Sequence, residues 1–209
     1  MPITYPISMP ERPGFMSAVW SPRSVVAADK SVFTLKRKVY AWDGQDRSIT
    51  VKVPTMELEV AREWQAWALR LNGIEGTFYL REDAMQLFGT AKDPSVMSGF
   101  TPLVNGPDQI GSEINTNGWP PSELGVLKKG DWISIGDRLF TVTLDVDSDT
   151  AGNAELSIWP FARGGLADNA VISLGPDARG IFNLVGFPEF ALNAEKMMEG
   201  FTFVAEETL

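Results

Sequence analysis

The stretch that decides the fold reads PTMELEVAREWQAWALRLNG, from Pro54 to Gly73. Its large apolar residues recur at helical spacing and so form one stripe along a helix: Met56, Val60, Trp64, Trp67 and Leu71. Most of the charged residues fall off this stripe and can face water. We therefore predict a helix over about residues 55–72, with Thr55 as its N-cap and Asn72-Gly73 as its left-handed stop.

Predicted strands flank this helix on both sides. Val32–Trp42 alternates and is followed by a hairpin signal at Asp43-Gly44, a returning strand at Ser48–Val53 and, beyond the helix, a strand at Gly76–Leu80. From Leu127 onward short alternating stretches and tight turns predict β-structure to the end. A helix with two tryptophans on one side needs a broad apolar surface, which a sheet supplies. We expect a mainly β fold, a closed or sandwiched antiparallel sheet with one flanking helix, in a single domain over residues 1–209.

Two segments lack regular patterning. Residues 1–30 are rich in Pro, Ser and Arg and predict an N-terminal arm, either disordered or ordered by lying across something. Residues 83–125 predict a long irregular loop, in which short strand segments are also possible. Trp119 in this loop packs either on its own domain or on a neighbouring subunit.

Composition excludes several classes of function. The 209 residues include neither cysteine nor histidine, which removes disulfides, thiolate zinc sites and every Ser-His or Cys-His arrangement. A net charge of −9 disfavours binding to nucleic acid. We interpret the basic run Lys36-Arg37-Lys38 as a solvated strand edge. No targeting signal or apolar span is visible, so we expect no membrane insertion.

A few groups of residues could carry chemistry. Asp145-x-Asp147-x-Asp149 resembles the opening of a calcium loop, but Thr150 and Leu156 stand where glycine and glutamate are needed, so an acidic turn is favoured. Four other features are equally weak: the pairs Glu82-Asp83 and Glu206-Glu207, which we expect to be solvated, the glycines at 164 and 165, and Arg163, which could meet an acid across a subunit boundary. We expect no catalytic, cofactor-binding or metal-binding residues, and no enzyme.

Six motifs follow one another in a fixed order along the chain. They are KVYAWDGQ (38–45), the helix end LRLNG (69–73), GTFYL (76–80), LKKGDWISIG (127–136), the acidic turn with Gly152, and IWPFAR (158–163). In this order they resemble the distal tail and related baseplate proteins of long-tailed bacteriophages, over most of residues 30–209.

The resemblance implies a split-barrel or β-sandwich core with one flanking helix, and a structural role in a virion. Such proteins form a ring, typically of about six subunits, that joins the tail tube to the baseplate hub and the host-recognition apparatus. In such a ring we expect the N-terminal arm and the 83–125 loop to contribute to contacts between subunits or with the tube. The partners expected are other copies of the chain, tube proteins and hub proteins, and the location is the virion tail after synthesis in the host cytoplasm. The family has no catalytic residues to carry over.

Two other classes remain open. One is a head–tail connector or tail tube protein of the same virion, which position along the particle would separate. The other is a β-sandwich carbohydrate-binding module with Trp119, Trp132 or Trp159 as a stacking platform, which exposed tryptophans would favour. An enzyme would need a carboxylate pair in a deep pocket.

Overall fold

A computed structural model describes residues 3–81, 97, 99–194 and 197–208. The described chain is mainly β with one α-helix, α1 (Leu58–Leu71). Its strands are β1 (Ile7–Ser8), β2 (Ser17–Lys30), β3 (Arg37–Lys52), β4 (Met56–Glu57), β5 (Thr77–Arg81), β6 (Leu103–Val104), β7 (Gln109–Asn117), β8 (Trp132–Ile135), β9 (Arg138–Val142), β10 (Ala154–Leu166), β11 (Ile172–Leu174), β12 (Arg179–Leu184), β13 (Met197–Met198) and β14 (Thr202–Glu207). The predicted fold class, a β-barrel or sandwich with one flanking helix, is confirmed.

The first sheet has six strands in the order β1-β5-β12-β14-β3-β2 and is nearly closed into a barrel. Helix α1 packs against it through Trp64 and Trp67, whose rings meet Phe78 and Phe203 at centroid distances of 4.9–6.2 Å. These side chains are buried together with Leu71 in one apolar cluster. The apolar stripe of the helix therefore covers the sheet as its spacing predicts.

The helix is shorter at its start than predicted. Met56 and Glu57 form β4 and pair with β13, so the N-cap is Glu57 and the prediction of Thr55 is wrong. The first turn of the predicted helix is therefore a strand, because it pairs with β13. The predicted stop is confirmed, because Asn72 and Gly73 both have positive φ, 51° and 70°.

The second sheet also has six strands, in the order β11-β8-β9-β10-β7-β6. The Gly136-Asp137 turn joins β8 to β9, and both residues have the positive φ that such a two-residue hairpin requires. Trp132 and Leu139 of this sheet are buried in the first sheet's apolar cluster. The two sheets therefore meet along the β8–β9 hairpin.

The predicted irregular loop over 83–125 contains β6 and β7, so the expected alternative of short strand segments is confirmed there. Residues 82–96 and 98 are outside the described part of the chain, and with them the pair Glu82-Asp83. The alternation in β7 is weak because its outward side is polar and Ile114 is its only fully buried apolar residue. Pairing with β10, rather than an apolar pattern, defines this strand.

The predictions for the first 53 residues also need correction. Residues 17–30 are not an irregular arm but the strand β2, which pairs with β3 along its length. The strand β3 runs unbroken through Asp43-Gly44, where we predicted a hairpin turn, and the actual turn lies at residues 31–36. The predicted strand start at Val32 therefore falls in that turn.

Candidate assembly site

Strands β2 and β3 extend far beyond the rest of their sheet. β14 pairs with β3 only between Ser48 and Lys52, whereas β2 follows β3 from Lys52 to Arg37. Residues 25–44 thus form a two-stranded ribbon, which we call the hairpin arm. An isolated two-stranded hairpin is marginally stable in water, so such a ribbon ordinarily rests on another surface.

The turn at the tip of the hairpin arm is closed by local hydrogen bonds. The Leu35 amide donates to the Ser31 carbonyl at 2.9 Å, and the Ser31 amide donates to the Lys36 carbonyl at 3.0 Å. Leu35 adopts φ of 57°, a left-handed conformation that is unusual for a branched residue. A large apolar side chain therefore stands at a strained position on the outermost turn.

A β-bulge lies at the base of the hairpin arm. The register passes from Ser24 paired with Gln45 to Val26 paired with Ala41, so three residues of β3 oppose Val25 alone. A β-carbon on Gly44 would lie 2.5 Å from Cγ2 of Val25, so only glycine fits without a shift. The Asp43-Gly44 signal in the sequence marks this bulge.

The surface of the hairpin arm is largely apolar and uncovered. Phe33 is 94% exposed, and seven further large side chains are exposed with it: Val25, Val26, Val32, Leu35, Val39, Tyr40 and Trp42. Tyr40 and Trp42 stack at a centroid distance of 6.5 Å, with Nζ of Lys38 4.8 Å from the Tyr40 ring. An exposed apolar area of this kind marks an interaction site in a folded protein.

The charge of the hairpin arm is opposite to that of the chain. Its four basic residues, Lys30, Lys36, Arg37 and Lys38, outnumber Asp29 and Asp43, although the chain as a whole carries −9. The basic run is exposed at the tip. Arg37 and Lys38 lie on β3, which pairs with β2 along one edge. Among the described strands none pairs with the other edge of β3 at this point, since β14 reaches only Ser48–Lys52, so the predicted solvated strand edge is confirmed.

Two side chains hold the base of the hairpin arm against the second sheet. Oε1 of Gln45 accepts the Phe161 amide at 2.8 Å, and Nη2 of Arg47 donates to the Trp159 carbonyl at 3.0 Å. Both bonds reach β10 from β3 and cross from one sheet to the other. They fix the direction in which the arm leaves the body.

Arg47 is a buried cation at this junction. Its residue is 1% exposed, its Nε lies 3.4 Å from Oε2 of Glu207, and its guanidinium is 4.5 Å from the Trp132 ring and 5.1 Å from the Trp159 ring. Burial lowers the pKa of Arg47 to about 10, against the opposing attraction of Glu207, so it stays charged at neutral pH.

The prediction that Glu206 and Glu207 are solvated is wrong for Glu207. Glu206 is partly exposed and pairs with Arg23 at 3.0 Å, but Glu207 is buried beside Arg47. Burial raises the pKa of Glu207, and the Arg47 charge works against that rise. Alternating side chains of β14 point to opposite faces, which separates the two glutamates.

Arg163 lies at the same junction. Its carbonyl accepts Nη1 of Arg138 at 2.6 Å, and its Nε and Nη2 atoms are buried without a hydrogen-bond partner. The pairing of Arg163 with an acid across a subunit boundary stays a prediction. The glycines at 164 and 165 both have positive φ within β10, where the register with β7 shifts.

The three aspartates of the predicted acidic turn point to different partners. Asp145 accepts the Lys129 amide at 3.0 Å, and Asp147 accepts the Gly125 amide at 2.6 Å. Asp149 accepts Nδ2 of Asn153 at 2.9 Å and the amides of Asn153 and Ala151, each at 2.8 Å, and these bonds lower its pKa. Among the described residues no group of three or more acidic side chains is placed to hold a metal ion.

Two of the three tryptophans of the carbohydrate-binding hypothesis are buried. Trp119 donates from Nε1 to Oγ1 of Thr116 at 2.7 Å and lies in the core of the second sheet, so it packs on its own domain. Trp132 is buried at the junction, and the partly exposed Trp159 covers Arg47. Trp119 and Trp132 therefore offer no open stacking platform.

No protein-family model matches the chain, and no curated protein matches it in sequence. In the part of the chain that the structure describes, no helix has the length and apolar character needed to cross a membrane.

Proposed function

We propose that the chain is a structural protein of the tail tip of a long-tailed bacteriophage, where copies of it form a ring between the tail tube and the baseplate hub. The observation that carries this proposal is the hairpin arm, which exposes Phe33 and Trp42 on a ribbon extending past its own sheet. The order of the sequence motifs supports it independently.

A protruding arm favours assembly into a closed ring. An arm that meets a different surface on the next copy makes a heterologous contact, and repeated heterologous contacts close into rings or continue as filaments. The hydrogen bonds that Gln45 and Arg47 make to β10 set the angle of the hairpin arm, and that angle decides whether the ring closes. The negative charge outside the arm suits a channel through which DNA slides without adhering.

Negative-stain images of the purified protein test the proposal. We expect rings of about six subunits with a central hole. Long stacked tubes would favour the tail tube alternative, and a field of isolated monomers at every concentration that stays in solution would contradict the ring.

A paired substitution links the rings to the arm. Phe33→Asp introduces a charge on the arm, and Leu124→Asp introduces the same charge at an exposed leucine outside the arm. We expect rings from the Leu124 variant and none from the Phe33 variant.

A further inference from the structure

We infer that the tip of the hairpin arm binds a second copy of this chain at an apolar patch beside the C-terminal end of α1. This patch, which we call the helix-end patch, consists of Ile74, Val185 and Phe187. The inference rests on the proposed function, because it names the surface that receives the arm in the ring.

The helix-end patch is an exposed apolar area on the body of the protein. Ile74, Val185 and Phe187 are all exposed. The Phe187 ring lies against the turn that ends the helix, since a β-carbon on Gly73 would be 3.1 Å from its Cε2. Ile74 follows Gly73 directly, so the side chains of the patch come from two segments that meet at this turn.

Charge complementarity identifies a second copy as the occupant. The patch is flanked by two exposed carboxylates, Glu75 and Glu189, against one arginine, Arg70, in the last turn of the helix. The tip presents the opposite combination, with Phe33 and Leu35 directly before the basic run at 36–38. An apolar tip with a basic rim fits an apolar patch with an acidic rim.

The contact is heterologous, as a ring requires. The tip and the patch are different surfaces of one chain, so each copy offers one of each to its neighbours. A tip that met another tip would give only a closed pair. The inferred contact can therefore repeat around a ring.

Cross-linking between two single-cysteine variants tests the contact, and the absence of natural cysteine makes the result specific. Thr34→Cys marks the tip. Gly186→Cys marks the patch at a residue with open space around it and ordinary φ. Thr150→Cys is the control at an exposed residue of another acidic region. A short bismaleimide is added to each mixture at the highest concentration at which the protein stays in solution.

We expect a cross-linked pair from Thr34→Cys mixed with Gly186→Cys, and little from Thr34→Cys mixed with Thr150→Cys. A dominant product of two Thr34→Cys chains, a product equally strong with the control, or no product at all would overturn the inference. Rings in the images without this cross-link would remove the contact but leave the proposed function. The cross-link without rings would support the contact but contradict the ring of the proposed function.

A second variant measures how much the patch contributes. Phe187→Asp should raise the protein concentration at half-assembly by roughly tenfold or more, because it places a charge where the inferred contact buries a phenylalanine. Leu124→Asp, which introduces the same charge at an exposed residue outside the patch, should leave that concentration unaltered. Equal assembly of the two variants would also overturn the inference.

Discussion

Replacing Arg47 with methionine removes a buried cation while filling much of its volume between Trp132 and Trp159. Glu207 then stays buried without the charge nearest to it, 3.4 Å away in the wild type. Breaking a buried ion pair from one side costs about 3–5 kcal/mol. For a chain of this size, the lower end of that range lowers Tm by about 6–12 °C.

The loss in free energy of unfolding should depend on pH, because it depends on whether Glu207 is ionised. Its folded-state pKa is already raised by burial, and the Arg47 charge limits the rise, so removing Arg47 raises that pKa further. When the pKa of a carboxyl group is higher in the folded than in the unfolded protein, the free energy of unfolding falls as pH rises between the two pKa values. The variant should therefore lose more free energy of unfolding at neutral pH than in mild acid.

Urea unfolding followed by tryptophan fluorescence measures the difference at about pH 4.5 and about pH 7.5. We expect the difference in free energy of unfolding between wild type and Arg47→Met to be clearly larger at the higher pH. The control is the double variant Arg47→Met/Glu207→Gln, which has no buried charge at either position and should lie close to wild type at both values. An equal gap at both pH values for the single variant would refute the electrostatic explanation and leave a packing effect.

Two further predictions concern the second sheet. Thr116→Val should cost about 2 kcal/mol or more, since it leaves Nε1 of Trp119 and the Ala154 carbonyl without the hydroxyl that both contact at 2.7 Å. Thr116→Ser, which keeps the hydroxyl, should cost less in the same unfolding assay, and equal losses would contradict this. Millimolar calcium should leave Tm unchanged, because the carboxylates of Asp147 and Asp149 already accept separate backbone amides. A clear rise in Tm on adding calcium would show that the acidic turn binds the ion.

Sequence periodicity predicted the elements whose apolar residues face one core. The stripe containing Trp64 and Trp67 placed the helix, and the tight turns expected after Leu127 include the one that joins β8 to β9. Each of these patterns is local, so neighbouring residues in the chain are enough to define it.

The elements that were missed depend on distant partners. β7 has polar residues on its outer side and becomes a strand through β10, about forty residues further on. The hairpin arm was missed because its apolar residues face solvent, and Val32 and Phe33 in a turn look like the start of a buried strand.

The anchor of the hairpin arm could not be read from the sequence. Arg47 stands in the polar run Gln45-Asp46-Arg47, which looks like an exposed turn. Its burial depends on Glu207 at the other end of the chain and on Trp132 and Trp159 from the second sheet. No local pattern brings these residues together.

The measurement that tests the central claim most directly is the mass of the protein in solution by light scattering, compared between wild type, Phe33→Asp and Leu124→Asp. The account predicts an assembly of several copies for wild type and for the Leu124 variant, and a monomer for the Phe33 variant. An assembly of unchanged mass in the Phe33 variant would contradict the role of the hairpin arm, and a wild-type monomer at all concentrations would contradict self-assembly.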